Sequence, residues 1–148
     1  MREELPVRTK RVRVWLRLLA TANLIEGRLR TRLADGFDIS MPRFDALAQL
    51  ARHPDGMTMT ALSRRMMVTK GNISALVERL VEDGLVERMA VPGDRRSTVV
   101  RLSPAGKDRF SGIAPTMEAW VVELFSGLDD AEIDALANLL ARLKEDPS

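Results

Sequence analysis

The sequence predicts a mostly α-helical fold with one short β-ribbon, and three patterns support this prediction. Apolar residues recur at three- and four-residue steps over most of the 148 residues, which is the spacing of amphipathic helices. Two strand-like runs, 85–90 and 97–102, flank a segment that contains the proline and glycine typical of a hairpin turn. Capping residues precede several of the helical segments. We therefore treat residues 1–148 as one chain with a single fold.

The first helical segments lie in the N-terminal third of the chain. A long helix is predicted over about 8–34, with Gly36 and Pro42 as the residues that punctuate its end. A shorter helix over 43–52 follows. The apolar positions of the long helix are Trp15, Leu18, Leu19, Ala22, Ile25, Leu29 and Leu33.

Two short helices joined by a tight turn are predicted next. The first begins near Thr58 or Thr60. The second begins after Thr69, which is its N-cap, and ends at Gly84. This pair makes a helix-turn-helix, and the β-ribbon that follows makes it a winged helix over 42–102. The apolar face of the second helix consists of Ile73, Leu76, Val77, Leu80 and Val81.

The opposite face of that second helix is polar and mostly small. Short or hydrogen-bonding side chains allow a helix to lie deep in a major groove and to touch base edges. An ordinary amphipathic surface helix would show the same pattern, so the helix alone does not establish DNA binding. The residues on this face are Lys70, Asn72, Ser74, Ala75 and Arg79.

Two more helices are predicted after the ribbon, over 103–145. Ser103 is the N-cap of the first, Pro104 occupies its first position, and Ser126-Gly127 ends it. Asp129 and Glu132 form the capping box of the last helix. A single winged helix does not require the additional helices over 8–34 and 103–145. We therefore expect them to interleave with a second copy across a two-fold axis.

Four segments of this chain resemble the MarR family of winged-helix transcriptional regulators. They are 68–74, 80–88, 94–97 and 102–106, in register over the winged helix. The resemblance implies a homodimer that binds pseudo-palindromic operators in double-stranded DNA, usually represses transcription, and is often released by a small phenolic or aromatic ligand.

The resemblance also implies roles for individual residues. Lys70, Asn72, Ser74, Ala75 and Arg79 would form the major-groove face, with Thr69 capping the helix or donating its hydroxyl to a phosphate. Arg95 would reach the minor groove, where a narrow A·T segment favours a guanidinium. Arg96 would pair with a phosphate or with Asp94, and Asp94 would brace the wing through Arg65 or Arg96. The alternative to DNA contact by the wing is an ordinary polar hairpin tip with solvated charges.

Two positions depart from the usual helix-turn-helix pattern. Ser63 and Met67 stand where many such sequences have alanine and a turn glycine. A residue other than glycine in a left-handed turn costs about 1 kcal/mol or more, so the turn at Met67 is expected to be built differently.

Charge is distributed unevenly along the chain, although its net value is only +2. Residues 1–32 carry a net charge of +6, residues 64–101 carry +3, and residues 103–148 carry −5. A basic winged helix suits phosphate binding, because each neutralised phosphate releases counterions. The acidic C-terminal part is adequately explained by solvated helix faces.

Several classes of protein are disfavoured by the composition. The chain has no cysteine and one histidine, His53, in a segment that predicts a helix-end cap, so we expect no enzyme, no metal site and no cofactor. No run approaches the roughly 18 uninterrupted apolar residues of a membrane span. With no secretory signal either, a cytoplasmic location without membrane contact is expected.

Two matters stay open at this level. Trp15, Phe37, Phe44 and His53, with Trp120, are candidate walls of an effector pocket, although ordinary core packing is the better explanation for each. The alternative to a sequence-specific regulator is a winged helix that serves as a protein-interaction or architectural module and binds DNA weakly.

Overall fold

The structure is a computed structural model that describes residues 4–66, 70–91 and 93–145, and the side chains of 8–66, 72–91, 93–94 and 98–145. Its elements are, in order, α1 (Glu4–Phe37), α2 (Met41–Ala51), β1 (Met57–Thr58), α3 (Met59–Met66), α4 (Lys70–Glu82), β2 (Val86–Val91), β3 (Asp94–Leu102), α5 (Pro104–Leu124) and α6 (Asp130–Lys144).

The predicted fold class is confirmed: helices predominate, and one small antiparallel sheet forms the wing. Its strand order is β1-β3-β2, with Met57 opposite Val100 and Val86 opposite Leu102. Strand β1 was not predicted, because two residues are too few to show the alternation that identifies a strand.

The core lies between the C-terminal end of α1, the winged helix and the first half of α5. Because its members come from elements far apart in sequence, it ties the winged helix to the long helices in one body. The largest fully buried side chains are Leu33, Leu47, Leu50, Leu62, Ile73, Leu80, Ile113, Val77 and Val100.

Most predicted helix caps are present. The Thr58 hydroxyl accepts from the N–H of Ala61 at 3.1 Å, and the Ser103 hydroxyl accepts from that of Gly106 at 3.0 Å. The Asp129 carboxylate accepts from the N–H of Glu132, whose side chain accepts from the N–H of Asp129 in return. Both halves of the predicted capping box are therefore formed.

Two boundary predictions are wrong. Helix α1 passes through Gly36 and ends at Phe37, where Asp38 adopts a left-handed conformation with φ of 52°. The N–H of Asp38 donates to the carbonyl of Ala34, and the N–H of Ile39 donates to that of Leu33. These bonds give two of the last helix carbonyls a hydrogen-bond partner. Gly36 instead faces the Trp120 ring, 3.8 Å from where a Cβ would lie.

The second correction concerns the tip of the wing. We predicted a turn over 92–96, but Asp94 already pairs with Val91, and the backbone of 94–96 belongs to β3. Gly93 closes the hairpin with φ of +83°, and a register irregularity between Ala90 and Val91 absorbs the extra residues.

Candidate nucleic-acid interface

Helix α4 is anchored by its apolar face. Ile73, Val77 and Leu80 are almost completely buried, and they recur at the spacing of one helix face. Their burial against the core turns the opposite side of α4 outward. We call α4 the recognition helix from here on.

The outward face of the recognition helix is formed by the predicted residues that can be checked. Asn72, Ser74, Ala75 and Arg79 are all exposed. Two of these side chains are short and the amide can both donate and accept, so this face can approach base edges closely. Their exposure is the geometric condition for readout in a major groove.

Sequence reasoning missed two acidic residues on this side of the helix. Glu78 and Glu82 are exposed, three and seven residues after Ala75, and therefore lie on the same face. A carboxylate repels phosphate but accepts a hydrogen bond from the amino group of cytosine. The helical spacing from Ala75 was the available signal.

The C-terminal end of the recognition helix is closed by the predicted glycine. Gly84 has φ of +77°, its N–H bonds the carbonyl of Val81, and the N–H of Leu85 bonds that of Leu80. This pair of hydrogen bonds is a Schellman motif. Nearby, Arg43 of α2 lies 3.7 Å from the Asp83 carboxylate. The Schellman bonds close the helix end, and the ion pair connects it to α2.

The wing, formed by β2 and β3, follows the recognition helix directly in the chain. Arg88, Met89 and Ala90 of β2 are exposed, while Val100 of β3 is completely buried at the base of the ribbon. Glu87 and Arg101 are register partners, and their side chains form an ion pair at 3.2 Å. The base of the wing is therefore packed and paired, and its tip extends from it.

The remaining predicted contact residues stay predictions. Thr69 and Met67, with the side chains of Lys70, Arg95 and Arg96, lie outside the described residues. Asp94 and Arg65 are both exposed, Asp94 at the start of β3 and Arg65 in the last turn of α3. Their mutual bracing also stays a prediction.

The candidate pocket residues do not meet at one place in a protomer. Trp15 and Phe37 belong to the same helix, 22 residues apart, or about 33 Å at the helical rise. The Phe44 ring stacks on Phe110 at 5.7 Å, and the Nδ1 of His53 lies 3.0 Å from the carbonyl oxygen of Gln49. The latter contact fits the predicted helix-end role of the histidine.

Trp120 joins α5 to the end of α1. Its ring lies 5.9 Å from that of Phe37, and the guanidinium of Arg32 lies 5.9 Å from its centroid. Arg32 also pairs with Glu123 at 3.2 Å, and Arg109 donates to the carbonyl of Phe37. These contacts fix the two long helices against each other beside the winged helix.

A second surface stands out on the terminal helices. Every described side chain from 8 to 24 is exposed, although many are large and apolar, and α6 has no buried residue. Trp15 is 59% exposed and Leu143 is 70% exposed. A cleft of about 700 Å³ separates this part of α1 from Leu143. The exposed apolar residues of this terminal surface include Val12, Val14, Trp15, Leu16, Leu18, Leu19, Leu139, Leu140 and Leu143.

Metal clusters and membrane-spanning helices are absent from the part of the chain that the structure describes. Within 4–66, 70–91 and 93–145, no three His, Asp or Glu side chains are grouped as a metal ion would require. None of the helices described there has the length and hydropathy needed to cross a bilayer.

Comparison with known proteins settles the family. The sequence model of the MarR family matches residues 37–97. A MarR family transcriptional regulator from Silicibacter pomeroyi is 34% identical, with 93% of this chain and 95% of that chain covered at a TM-score of 0.75. The chain belongs to the MarR family.

Further MarR-family likeness is found in fold and in sequence. A MarR family regulator from Streptomyces coelicolor, solved in complex with DNA, has the same fold, with a TM-score of 0.84 at 23% identity over 91% of this chain and 86% of that chain. The HTH-type transcriptional regulator YdgJ of Bacillus subtilis (strain 168) is 26% identical over 106 residues, 72% of this chain. The match spans 64% of that relative, which is less than two thirds of its length. The chain thus has the winged helix-turn-helix fold of this family of transcriptional regulators.

Proposed function

We propose that this MarR-family regulator is a homodimer that binds a pseudo-palindromic operator and represses transcription. One observation carries the proposal: the buried stripe of α4 directs Asn72, Ser74, Ala75 and Arg79 outward, on a helix that the β2–β3 ribbon follows directly. A helix presented in this way, next to a ribbon, suits simultaneous contact with a major groove and the neighbouring backbone.

The terminal surface supports the dimer. Large apolar side chains of α1 and α6 are exposed in one protomer. Their burial by a second copy would stabilise the dimer by roughly 25 cal/mol per Å² of apolar area. The basic segment 1–32, net +6, and the acidic segment 103–148, net −5, favour contact between α1 of one copy and the C-terminal helices of the other.

The dimer would place two recognition helices on one face of the duplex. A two-fold axis makes the operator pseudo-palindromic, with half-sites spaced by one helical turn, about 34 to 36 Å. Base readout is assigned to Asn72, Ser74 and Arg79, with Lys70 beside them and Glu78 as a further acceptor. Thr69 would bind a phosphate or cap the helix.

The wing is assigned to the minor groove and the backbone. Arg95 would insert where the groove is narrow, and Arg96 would neutralise a phosphate or pair with Asp94. Arg65 and Asp94 would hold the wing at its angle to α3. The +3 net charge of 64–101 supports this assignment, because phosphate contact is favoured by counterion release.

Release by a small aromatic ligand completes the proposal. Phe37 and Phe44 lie where α1 and α2 meet α5, and each already has an aromatic partner on that helix. A planar ligand inserted at either ring pair would shift α5 against the winged helix. The matching test is displacement of bound operator by added aromatic acids and phenols.

The test of operator binding is selection from a random DNA pool, with light scattering for the oligomer. A pseudo-palindromic consensus and a dimer of twice the 16.5 kDa chain mass are expected. A specificity ratio near one between selected and random DNA would contradict the proposal, and would favour the interaction or architectural module instead.

Arg95→Ala tests the wing separately. Loss of one phosphate or minor-groove contact is expected to weaken operator affinity and to reduce the slope of log K against log salt by about 1. Titrations at several salt concentrations measure this slope. Arg52→Ala, which removes an exposed cation at the end of α2, is the control for a general change in net charge.

A further inference from the structure

Ser103 lies where the recognition helix ends and α5 begins. Its hydroxyl accepts from the N–H of Gly106 at 3.0 Å and donates to the carbonyl oxygen of Gly84 at 2.6 Å. Its own N–H donates to the carbonyl oxygen of Leu85 at 3.0 Å. Ser103 is only 7% exposed. One residue therefore caps α5 and ties it to the turn that closes the recognition helix.

Gly106 brings the two backbones together at the same point. A Cβ on Gly106 would overlap the carbonyl oxygen of Leu85, and it would also lie 3.3 Å from the Leu102 side chain. The first turn of α5 thus rests directly on Leu85 with no side chain between them. We call Gly84, Leu85, Ser103 and Gly106 the α4–α5 joint.

The length of α5 makes the angle at this joint important. Helix α5 has 21 residues, or about 30 Å at the helical rise. A pivot of about 6° at one end moves the other end by about 3 Å over that length. This displacement is close to the rise of one base pair, about 3.4 Å. A small change at the joint would therefore alter the distance between the recognition helices of a dimer.

We propose that the α4–α5 joint sets the half-site spacing that the dimer accepts, with Ser103 as a positioning residue. The inference rests on the proposed function, since spacing has meaning only for a dimer that binds two half-sites. Ser103 is buried, so it acts through the tilt of the recognition helix. With both of its hydroxyl bonds made, α5 is held at one angle to that helix, and without them the angle varies.

The body of the protein does not depend on these bonds alone. Phe110 of α5 stacks on Phe44 of α2, and Arg109 donates to the carbonyl of Phe37. They lie within about two helical turns of Ser103, so a pivot of about 6° there would displace them by only about 1 Å. Spacing preference can therefore be measured in variants that keep the fold.

Three substitutions separate capping from positioning. Ser103→Thr keeps a hydroxyl that can accept from Gly106 and donate to Gly84. Ser103→Asp keeps the cap of α5, because aspartate is a good N-cap, but an ionised carboxylate cannot donate to Gly84. Ser103→Ala has neither bond. Ser40→Ala is the matched control, since Ser40 caps α2 through the N–H of Arg43 at 3.3 Å and lies outside the joint.

The measurement is affinity, by fluorescence anisotropy, for the selected operator and for versions with one base pair added to or removed from the centre. The wild type, Ser103→Thr and Ser40→Ala are expected to discriminate against altered spacing by about tenfold or more. For Ser103→Asp and Ser103→Ala, this discrimination against altered spacing is expected to fall to about threefold or less. Gly106→Ala opens the joint from its other side and carries the test if Ser103→Asp does not fold.

The outcomes distinguish the inference from the proposed function. Wild-type discrimination retained by Ser103→Asp would show that the serine is only a helix cap, and would overturn the inference. Operator binding by the wild type without any spacing preference would overturn the inference alone. No specific binding by the wild type would overturn the proposed function, and the inference with it.

Discussion

The winged helix and the terminal surface have similar apolar periodicity but bury it differently. Leu62, Val77 and Leu80 are completely buried within one protomer. Trp15 and Leu143, on helices with equally regular apolar spacing, are 59% and 70% exposed. Periodicity thus identifies a face that water disfavours, but the partner that covers it need not belong to the same chain. The winged helix buries its apolar face within one copy, and the terminal helices leave theirs exposed.

The most severe test of this difference is a charge on the terminal surface. Leu19→Asp is expected to weaken dimerisation about a hundredfold or more, because an unpaired carboxylate would be buried against the second copy. Operator affinity should fall with it, while the helical circular dichroism signal remains. Sedimentation equilibrium measures the dissociation constant.

Thr21→Asp is the control, since it places a carboxylate at an exposed polar position on the opposite side of the same helix, two residues after Leu19. A wild-type dissociation constant for the Leu19 variant would mean that this surface is not buried by a second copy.

The winged helix side of the comparison is tested at Gly106. Gly106→Ala forces a methyl group against the Leu85 carbonyl, and overpacking of this kind costs about 1 to 3 kcal/mol of unfolding free energy. Denaturant unfolding measures the loss. Gly112→Ala, on the same helix with nothing within 4 Å of the added Cβ, is expected to be neutral or to stabilise by up to about 1 kcal/mol. Equal effects of the two changes would contradict the close contact at the joint.

A substitution on the recognition face should change specificity more than stability. Asn72→Ala is expected to lose about 1 to 3 kcal/mol of discrimination at one base pair in each half-site, because the amide can pair with one base edge. Selection with the variant protein identifies the position. Uniformly reduced affinity with an unchanged consensus would remove Asn72 from base readout.

The smallest expected effect is a pH dependence within α2. Burial raises the pKa of the Asp45 carboxyl, while a hydrogen bond from Gln49 and the charge of Arg52 act in the opposite direction. A raised native pKa means that folding favours the protonated acid, so this group stabilises least above its native pKa. Asp45→Asn should therefore melt above the wild type at pH 7, with the difference shrinking as the pH falls towards about 4.

Thermal unfolding between these pH values measures that difference. Asp35→Asn is the matched loss of an exposed carboxylate. Identical pH profiles for the two variants would contradict a burial effect at Asp45.

Local signals in the sequence predicted the elements well. Ser103 with Pro104, the Asp129 capping box and Gly84 act within a few residues, and each lies where its pattern indicated. Gly36 misled the prediction because it lies within the helix, next to the ring of the distant Trp120, while Asp38 takes the left-handed position. Contacts between distant segments leave no periodic signal.

The candidate site was predictable in the same uneven way. Asn72, Ser74, Ala75 and Arg79 followed from helical spacing, and they are exposed as expected. The ties of Ser103 to Gly84 and Leu85 could not be foreseen, since 19 residues separate the two partners of its hydroxyl bond. The capping role of Ser103 was local, and its link to the recognition helix depends on the tertiary fold.

The distribution of aromatic residues gives the protein a built-in optical label for each region. It has two tryptophans and no tyrosine, so its near-ultraviolet-excited emission comes from Trp15 and Trp120. Trp15 is in a water-facing position of the protomer, whereas Trp120 lies against Phe37. Replacing either indole by phenylalanine leaves a single emitter, whose emission wavelength would report covering of the terminal surface in one case and loosening of the α1–α5 contact in the other, with no dye attached.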